Sequence, residues 1–186
     1  MQRFRCVLIC FLGLLFCGSL SAFASCSAPA NAIEKENCLP GTPDSVWDIT
    51  AAGDPTIQGF ATDISVNVGG TIFFKISTNA TRYHFDIYRM GYYQGNGARL
   101  IQGNLTPSAS LPQNQPACLS NASLGFVDCG NWAVSASWTV PSTAVSGIYF
   151  AHLIRDDTGG DSHIVFVVRN DASHSDILLP FFSLAA

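Results

Sequence analysis

The chain has 186 residues, a length that suits one domain built around a single core. Only 12% of those residues are charged, and the formal net charge is −4. A nucleic-acid binder that works through a basic stripe is thereby excluded.

In chain order, "MQRFRCVLICFLGLLFCGSLSAFA" comes first. Arg3 and Arg5 precede an apolar run from Cys6 to Cys17, and small residues close the segment at Ala22 and Ala24. That is the plan of a secretory signal peptide cleaved after Ala24. An uncleaved anchor competes, but the run falls short of the roughly 20 residues a span needs. Lipoprotein processing at Cys26 also competes, against Phe23, which stands where such signals carry a small aliphatic residue. Residues 1–24 are thus expected to be removed. The product would be secreted or periplasmic, with no membrane association after cleavage.

Removal leaves Cys26, Cys38, Cys118 and Cys129. In an exported chain these read as disulfides; three connectivities are possible, and Cys26 with Cys38 and Cys118 with Cys129 closes two short loops. A four-thiolate metal site is the rival, but neither pair has the C-x-x-C spacing such sites use. No cofactor is expected.

Residues 25–43, "SCSAPANAIEKENCLPGTP", show no apolar period and read as a linker with a local disulfide. From residue 44 the chain becomes a series of short apolar runs separated by turn residues: "SVWDIT", "IQGFATDISVNV", "TIFFKIST", "YHFDIYRM", "ARLIQG", "AVSASWTV", "GIYFAHLIR" and "HIVFVVR". No long window carries a helical period. The fold class is therefore all-β, an immunoglobulin- or fibronectin-like antiparallel β-sandwich of about seven to eight strands over residues 44–170. A small open barrel shares the same pattern. Tyr149, just after a glycine turn at the start of a late strand, stands where sandwiches carry a tyrosine corner. Residues 171–186 form a C-terminal tail.

Alternation exposes an anomaly. With Tyr149, Ala151 and Leu153 inward, Phe150, His152 and Ile154 must face outward, and "HIVFVVR" with Phe166 is apolar on both faces. The late-strand sheet is therefore expected to be covered twice. Its outer cover would be another protein domain or an oligomer partner, or else the long 102–131 connection folded over it.

Motifs of chemistry are sparse. "DIYRMGYYQGNGARL", Asp86 to Leu100, has glycines but neither the helix nor the Lys of a phosphate loop, and reads as a hairpin. Tyr92 and Tyr93 at its tip, beside Arg89 and Arg99, could stack on a carbohydrate or a partner surface. Alternatively one tyrosine packs under the turn and the arginines pair with Asp86 or another carboxylate. His84, His152, His163 and His174 lack metal-binding spacing, although His152 and His163 fall on adjacent strands. The acids of "RDDTGGD" fit a hairpin turn better than a calcium loop. Asn79, Asn104 and Asn121 head Asn-x-Ser/Thr tripeptides. The sequence contains no Gly-x-Ser-x-Gly elbow.

These stretches carry a resemblance. "GTPDSVWDITAAGDPTIQGFATDISVNVGGTIFFKI", "YHFDIYRMGYYQGNGARL", "QPACL", "DCGNWAVSASWTVPSTAVSGIYFAHLIR" and "SHIVFVVRNDASHSDIL" are similar to the N-terminal immunoglobulin-like region of exported proteins related to the N,N-dimethylformamidase large (beta) subunit. The similarity runs from Gly41 to about Leu178. Its most specific parts are Arg-Met-Gly-Tyr-Tyr and the Trp132 to Pro141 run. The resemblance implies that amidase chemistry belongs to a later glutamine-amidotransferase-like domain holding iron through tyrosine and carboxylate ligands. This chain closes with "LPFFSLAA" soon after "SDIL", so it reads as truncated before that domain, and no catalytic or metal residue carries over. The expectation is a non-catalytic module whose docking or ligand surface is Arg89, Tyr92, Tyr93, Arg99, Phe150, His152, Ile154 and Phe166. The partner would be the missing catalytic domain or another protein domain. The alternative is a carbohydrate or cell-surface binder that adds Trp47 to the tyrosines.

Overall fold

The computed structural model describes residues 26–174. The expected signal peptide and most of the expected tail lie outside the described residues.

The molecule is a β-sandwich, and the strand patterns explain why. Strands β1 (Ile57–Ala61), β3 (Thr71–Thr78) and β8 (Ala136–Thr139) form one sheet in the order β1-β3-β8. Strands β2 (Ser65–Asn67), β4 (Tyr83–Met90), β5 (Ala98–Leu105), β9 (Gly147–Arg155) and β10 (Asp161–Arg169) form the other in the order β2-β10-β9-β4-β5. The first strand of the sandwich is broken: β1 runs antiparallel to β3, whereas β2 crosses to the second sheet and runs parallel to β10. The strand order is that of an immunoglobulin-like sandwich, whose late hairpin lies between its first and central strands.

Alternation builds the core. In β3 the buried positions are Ile72, Phe74, Ile76 and Thr78, one face of a strand with period two. They meet Phe85, Tyr149 and Phe166 across the sandwich, with Phe74 edge-on to Phe166 at 5.7 Å and Trp138 tilted on Tyr149 at 6.0 Å. Each such ring contributes about 1.5–3 kcal/mol by leaving water. The expected tyrosine corner is present: the Tyr149 hydroxyl donates to the Val145 carbonyl at 2.7 Å.

Two sequence expectations change. The described part of the expected linker, residues 26–43, is not free, and "SVWDIT" is not a strand. Residues 26–56 hold two short helices, α1 (Ala32–Asn37) and α2 (Asp44–Trp47), and lie over the outer face of the five-stranded sheet. Thr42 bridges to Ala98 at the start of β5, its N–H donating to the Ala98 carbonyl at 2.8 Å. The signal for α1 was legible: Asn31 caps it by accepting from the Glu34 N–H at 2.9 Å, and the Glu34 carboxylate accepts from the Ala30 N–H at 2.6 Å.

The long connection behaves otherwise. It follows the three-stranded sheet, bridging Thr78 through Gln113, with Trp132 tilted on Phe60 at 5.6 Å and the Gln115 amide donating to the Ile76 and Ala133 carbonyls. From it projects a small hairpin, β6 (Leu119–Asn121) and β7 (Phe126–Asp128).

Candidate functional site

The outer face of the five-stranded sheet groups polar and aromatic side chains at two points where residues 26–56 attach.

The first point is the hairpin tip of "YRMGYYQGNGARL". Gly95 and Gly97 take positive φ values of 95° and 77°, and Gln94 follows at 60°; this left-handed turn rolls Tyr93 under the loop. Tyr93 is 0% exposed. Its hydroxyl donates to Glu36 Oε1 at 3.0 Å and accepts from Arg89 Nη1 at 2.9 Å. Arg99 donates to the same Glu36 oxygen through Nε at 2.9 Å and through Nη2. Burial raises the Tyr93 hydroxyl above its usual value despite Arg89 beside it, so the phenol stays protonated and serves as a donor. Arg89 also donates to the Val145 and Ser146 carbonyls, and it can lie there because a Cβ on Gly147 would stand 3.0 Å from its guanidinium. The Tyr92 N–H donates to Asn37 Oδ1 at 2.6 Å. The tip therefore docks onto α1 of its own chain.

The second point lies mid-sheet. Tyr88 and Phe150 stack at 5.2 Å with planes 10° apart, and Trp47 covers Phe150 at 5.7 Å. His152 and His163 are register partners on β9 and β10, their rings 5.1 Å apart and nearly perpendicular. His152 Nε2 donates to Asp161 at 2.9 Å, and its Nδ1 is buried with no partner among the described residues. His163 Nε2 donates to the Trp47 carbonyl at 2.6 Å. Burial, reinforced by His152, holds the His163 imidazole below its ordinary value against the opposing pull of that carbonyl and of Asp161 and Asp48. A histidine oriented by a carboxylate is half of a general-base arrangement. Here the neighbouring His163 is occupied by the Trp47 carbonyl and the Phe150 ring, which stands 4.4 Å away. Among the described residues no group of three or more His, Cys, Asp or Glu could hold a metal ion.

The expected docking surface is largely interior. Arg89, Tyr93, Phe150, His152 and Phe166 are buried, Arg99 and Ile154 are half-buried, and Tyr92 is 70% exposed. Phe166 is opposite Tyr149 in the register and so faces the core, not the outer row; the outward row of β10 includes His163, Val165 and Val167. Around Phe150 and His163 the outer row is covered by residues 26–56 of the same chain, whereas the long connection follows the three-stranded sheet. Trp47 is committed as well, its indole N–H donating to the Thr42 carbonyl at 2.9 Å. Sequence reasoning missed Glu36, whose partners lie far along the chain, and Asp161, which it placed in a turn.

Other expected groups fall into structural pairs. Asp157 accepts a two-pronged interaction from Arg155, and Asp156 accepts from His84 at 2.6 Å, as a hairpin turn requires. Both disulfides take the local pairing, Cys26–Cys38 with Cα atoms 5.5 Å apart and Cys118–Cys129 at 4.3 Å. Exposed apolar side chains gather on the small hairpin: Leu119, Leu124, Phe126 and Val127. Among the described residues no helix is long and apolar enough to cross a membrane.

Among solved structures, the chain has 15% identity to the alkylpurine DNA glycosylase AlkC of Pseudomonas fluorescens bound to DNA containing an abasic site analog. That match has a TM-score of 0.31 and covers 64% of this chain and 31% of that one. An AA10 lytic polysaccharide monooxygenase from Streptomyces lividans is 21% identical, with a TM-score of 0.28 and 56% of each chain covered. The chain spans less than two thirds of either, and similarity this low carries no functional argument. No curated protein matches. The family model for N,N-dimethylformamidase beta subunit-like proteins, C-terminal, matches residues 84–184, more than half of the chain. The match takes in the tip hairpin and both histidine strands; its description is of a C-terminal region, where the sequence comparison pointed to an N-terminal one. The chain belongs to the N,N-dimethylformamidase beta subunit-like, C-terminal family.

Proposed function

We propose that residues 26–174 act as a non-catalytic, exported β-sandwich module of the dimethylformamidase-like proteins, with a structural or docking role. One observation carries this reading: the groups best suited to chemistry, His152, His163, Asp161, Glu36 and Tyr93, each hold a bond of the folded module or of its N-terminal cover. Two disulfides support export, since such bonds persist in oxidising compartments. In this reading amide hydrolysis belongs to another domain or chain, and the module's role is to dock that partner.

The test is direct. The purified chain is incubated with N,N-dimethylformamide and a panel of small amides, and dimethylamine or ammonia release is followed. Release at the buffer rate is expected. Turnover that co-purifies with the chain and disappears in His152→Ala would overturn the reading. The carbohydrate alternative is left with Tyr92 as its exposed aromatic from the tip. Saturable quenching of tryptophan fluorescence by a glycan would replace the docking role with that one.

A further inference from the structure

Residues 43–53 join two pinned points. At one end Thr42 is bonded to β5 in both directions, donating to Ala98 and accepting from the Leu100 N–H at 3.1 Å. At the other the Asp54 N–H donates to the Asp161 carbonyl at 2.7 Å. The stretch between is mostly exposed, with Trp47 and Ile49 half-buried. Its backbone bonds are largely local, Asp48 to Asp44 and Gly53 to Thr50. Mid-segment it touches the sheet through Trp47, whose ring lies on Phe150 and the Tyr88–Ala98 cluster and whose carbonyl meets His163, and Gly53 packs closely on Asp161 and Ser162 at the pinned far end. Ala51 and Gly53, at φ 55° and 81°, place left-handed turns at its far end. Such a segment belongs to the low-stability end of a structure.

We propose that residues 43–53 form an acid-released flap, held shut by neutral His163 and freed when that imidazole takes up a proton. Closed, His163 is wedged between the Phe150 ring at 4.4 Å and the His152 ring at 5.1 Å. A charge arriving there loses water and stands against the ring of His152, whose Nε2–H is already committed to Asp161. The ionisable groups facing it are His152 from β9, Asp161 from its own strand and Asp48 from the flap, with Asp86 of β4 beside His152 in the register. Strand β2, on the other side, brings no ionisable side chain. The two carboxylates favour the charged form, but burial outweighs them. Opening restores water to His163, so the open form binds the proton more tightly. The sign follows: closure is complete above the free value of 6.5 and weakens as pH falls through it. Each pH unit by which the closed state lies below the free value costs about tenfold in the closed-to-open ratio. Opening would bare Phe150 and Tyr88, while Glu36 and Arg99 keep α1 in place.

The three indole N–H groups report this separately by proton–nitrogen NMR. Trp47 reports the flap, Trp138, bonded to Gln102 at 2.9 Å, reports the sandwich, and Trp132, bonded to Pro116, reports the long connection. From about pH 8 to about pH 5, the Trp47 signal is expected to leave its bonded position while Trp138 stays. In His163→Gln, which keeps a donor but cannot titrate, the Trp47 signal is expected to hold. A Trp47 signal that never moves, or one that moves together with Trp138, overturns the proposal, as does His163→Gln responding like the unaltered protein. If that variant does not fold, ring titration of His163 in the unaltered protein decides: a midpoint below 6.5 supports the flap, and one at or above it overturns it.

Discussion

Two segments of this protein are alike in composition and opposite in fate. Residues 26–56 and the connection from residue 106 to residue 135 are both rich in small polar residues and proline, and each is closed by a disulfide of similar span, 12 and 11 residues. The first covers a sheet and buries Glu36 and part of Trp47; the second is anchored to the three-stranded sheet through Gln113, Gln115 and Trp132 but carries between them a hairpin whose residues are all exposed. The disulfide does not make the difference. The surface beneath does: Tyr93, Arg99, Phe150 and His163 offer the first segment donors and rings in complementary positions, whereas both strands of the small hairpin stay exposed. A covering segment is specified as much by the surface beneath it as by its own residues.

The largest expected effect tests that surface. Phe150→Ala removes a ring stacked on Tyr88 and covered by Trp47, and should cost about 3–5 kcal/mol in urea unfolding, with the Trp47 indole signal losing its bonded position. A cost under about 1 kcal/mol would mean that the segment rests on the sheet without being part of the core. Next comes Glu36→Ala, which leaves Arg99 and the Tyr93 hydroxyl facing each other without the carboxylate. Because Arg99 keeps some contact with water, the expected loss is about 2–3 kcal/mol. Limited proteolysis should then cut within residues 26–43 before it cuts at the small hairpin.

Acidity and alkalinity sharpen the comparison without mutation. Closure of residues 43–53 should fade as pH falls through 6.5, whereas the sandwich should persist to much stronger acid. The hydrogen bonds from Arg155 hold the Asp157 carboxyl well below its ordinary 3.8. A depressed carboxylate contributes in full above its unfolded value and is lost as pH falls toward the folded one, so this contribution should survive to below 3.8. At the other extreme Tyr149, pushed up to about 12 by burial, contributes in full below 10 and loses it as pH rises toward 12. Near-ultraviolet circular dichroism against pH should show one small step as pH falls through 6.5 and separate losses toward both ends.

The smallest effect belongs to the exposed hairpin. The double variant Leu124→Ser, Phe126→Ser should change unfolding free energy by no more than about 0.5 kcal/mol, because those side chains are 77% and 55% exposed. A larger loss would show that the tip is packed, and the contrast between the two segments would disappear.

Much of this was written in the chain. Period-two apolar runs determine the strands from Ile57 to Arg169 and hence the all-β class, because a strand buried on one face must alternate. The glycine cluster after Tyr93 determines a tight turn, the position of Tyr149 determines a tyrosine corner, and close cysteine spacing favours the local disulfides. The doubled apolar character of "GIYFAHLIR" correctly demanded a second cover. Tertiary structure alone decided what that cover is, because Glu36 meets Arg99, and Trp47 meets Phe150 and His163, across separations no local pattern encodes. It decided also that Phe166 faces the core, since register is set by pairing with β9 and a shift of one residue exchanges the two faces of a strand.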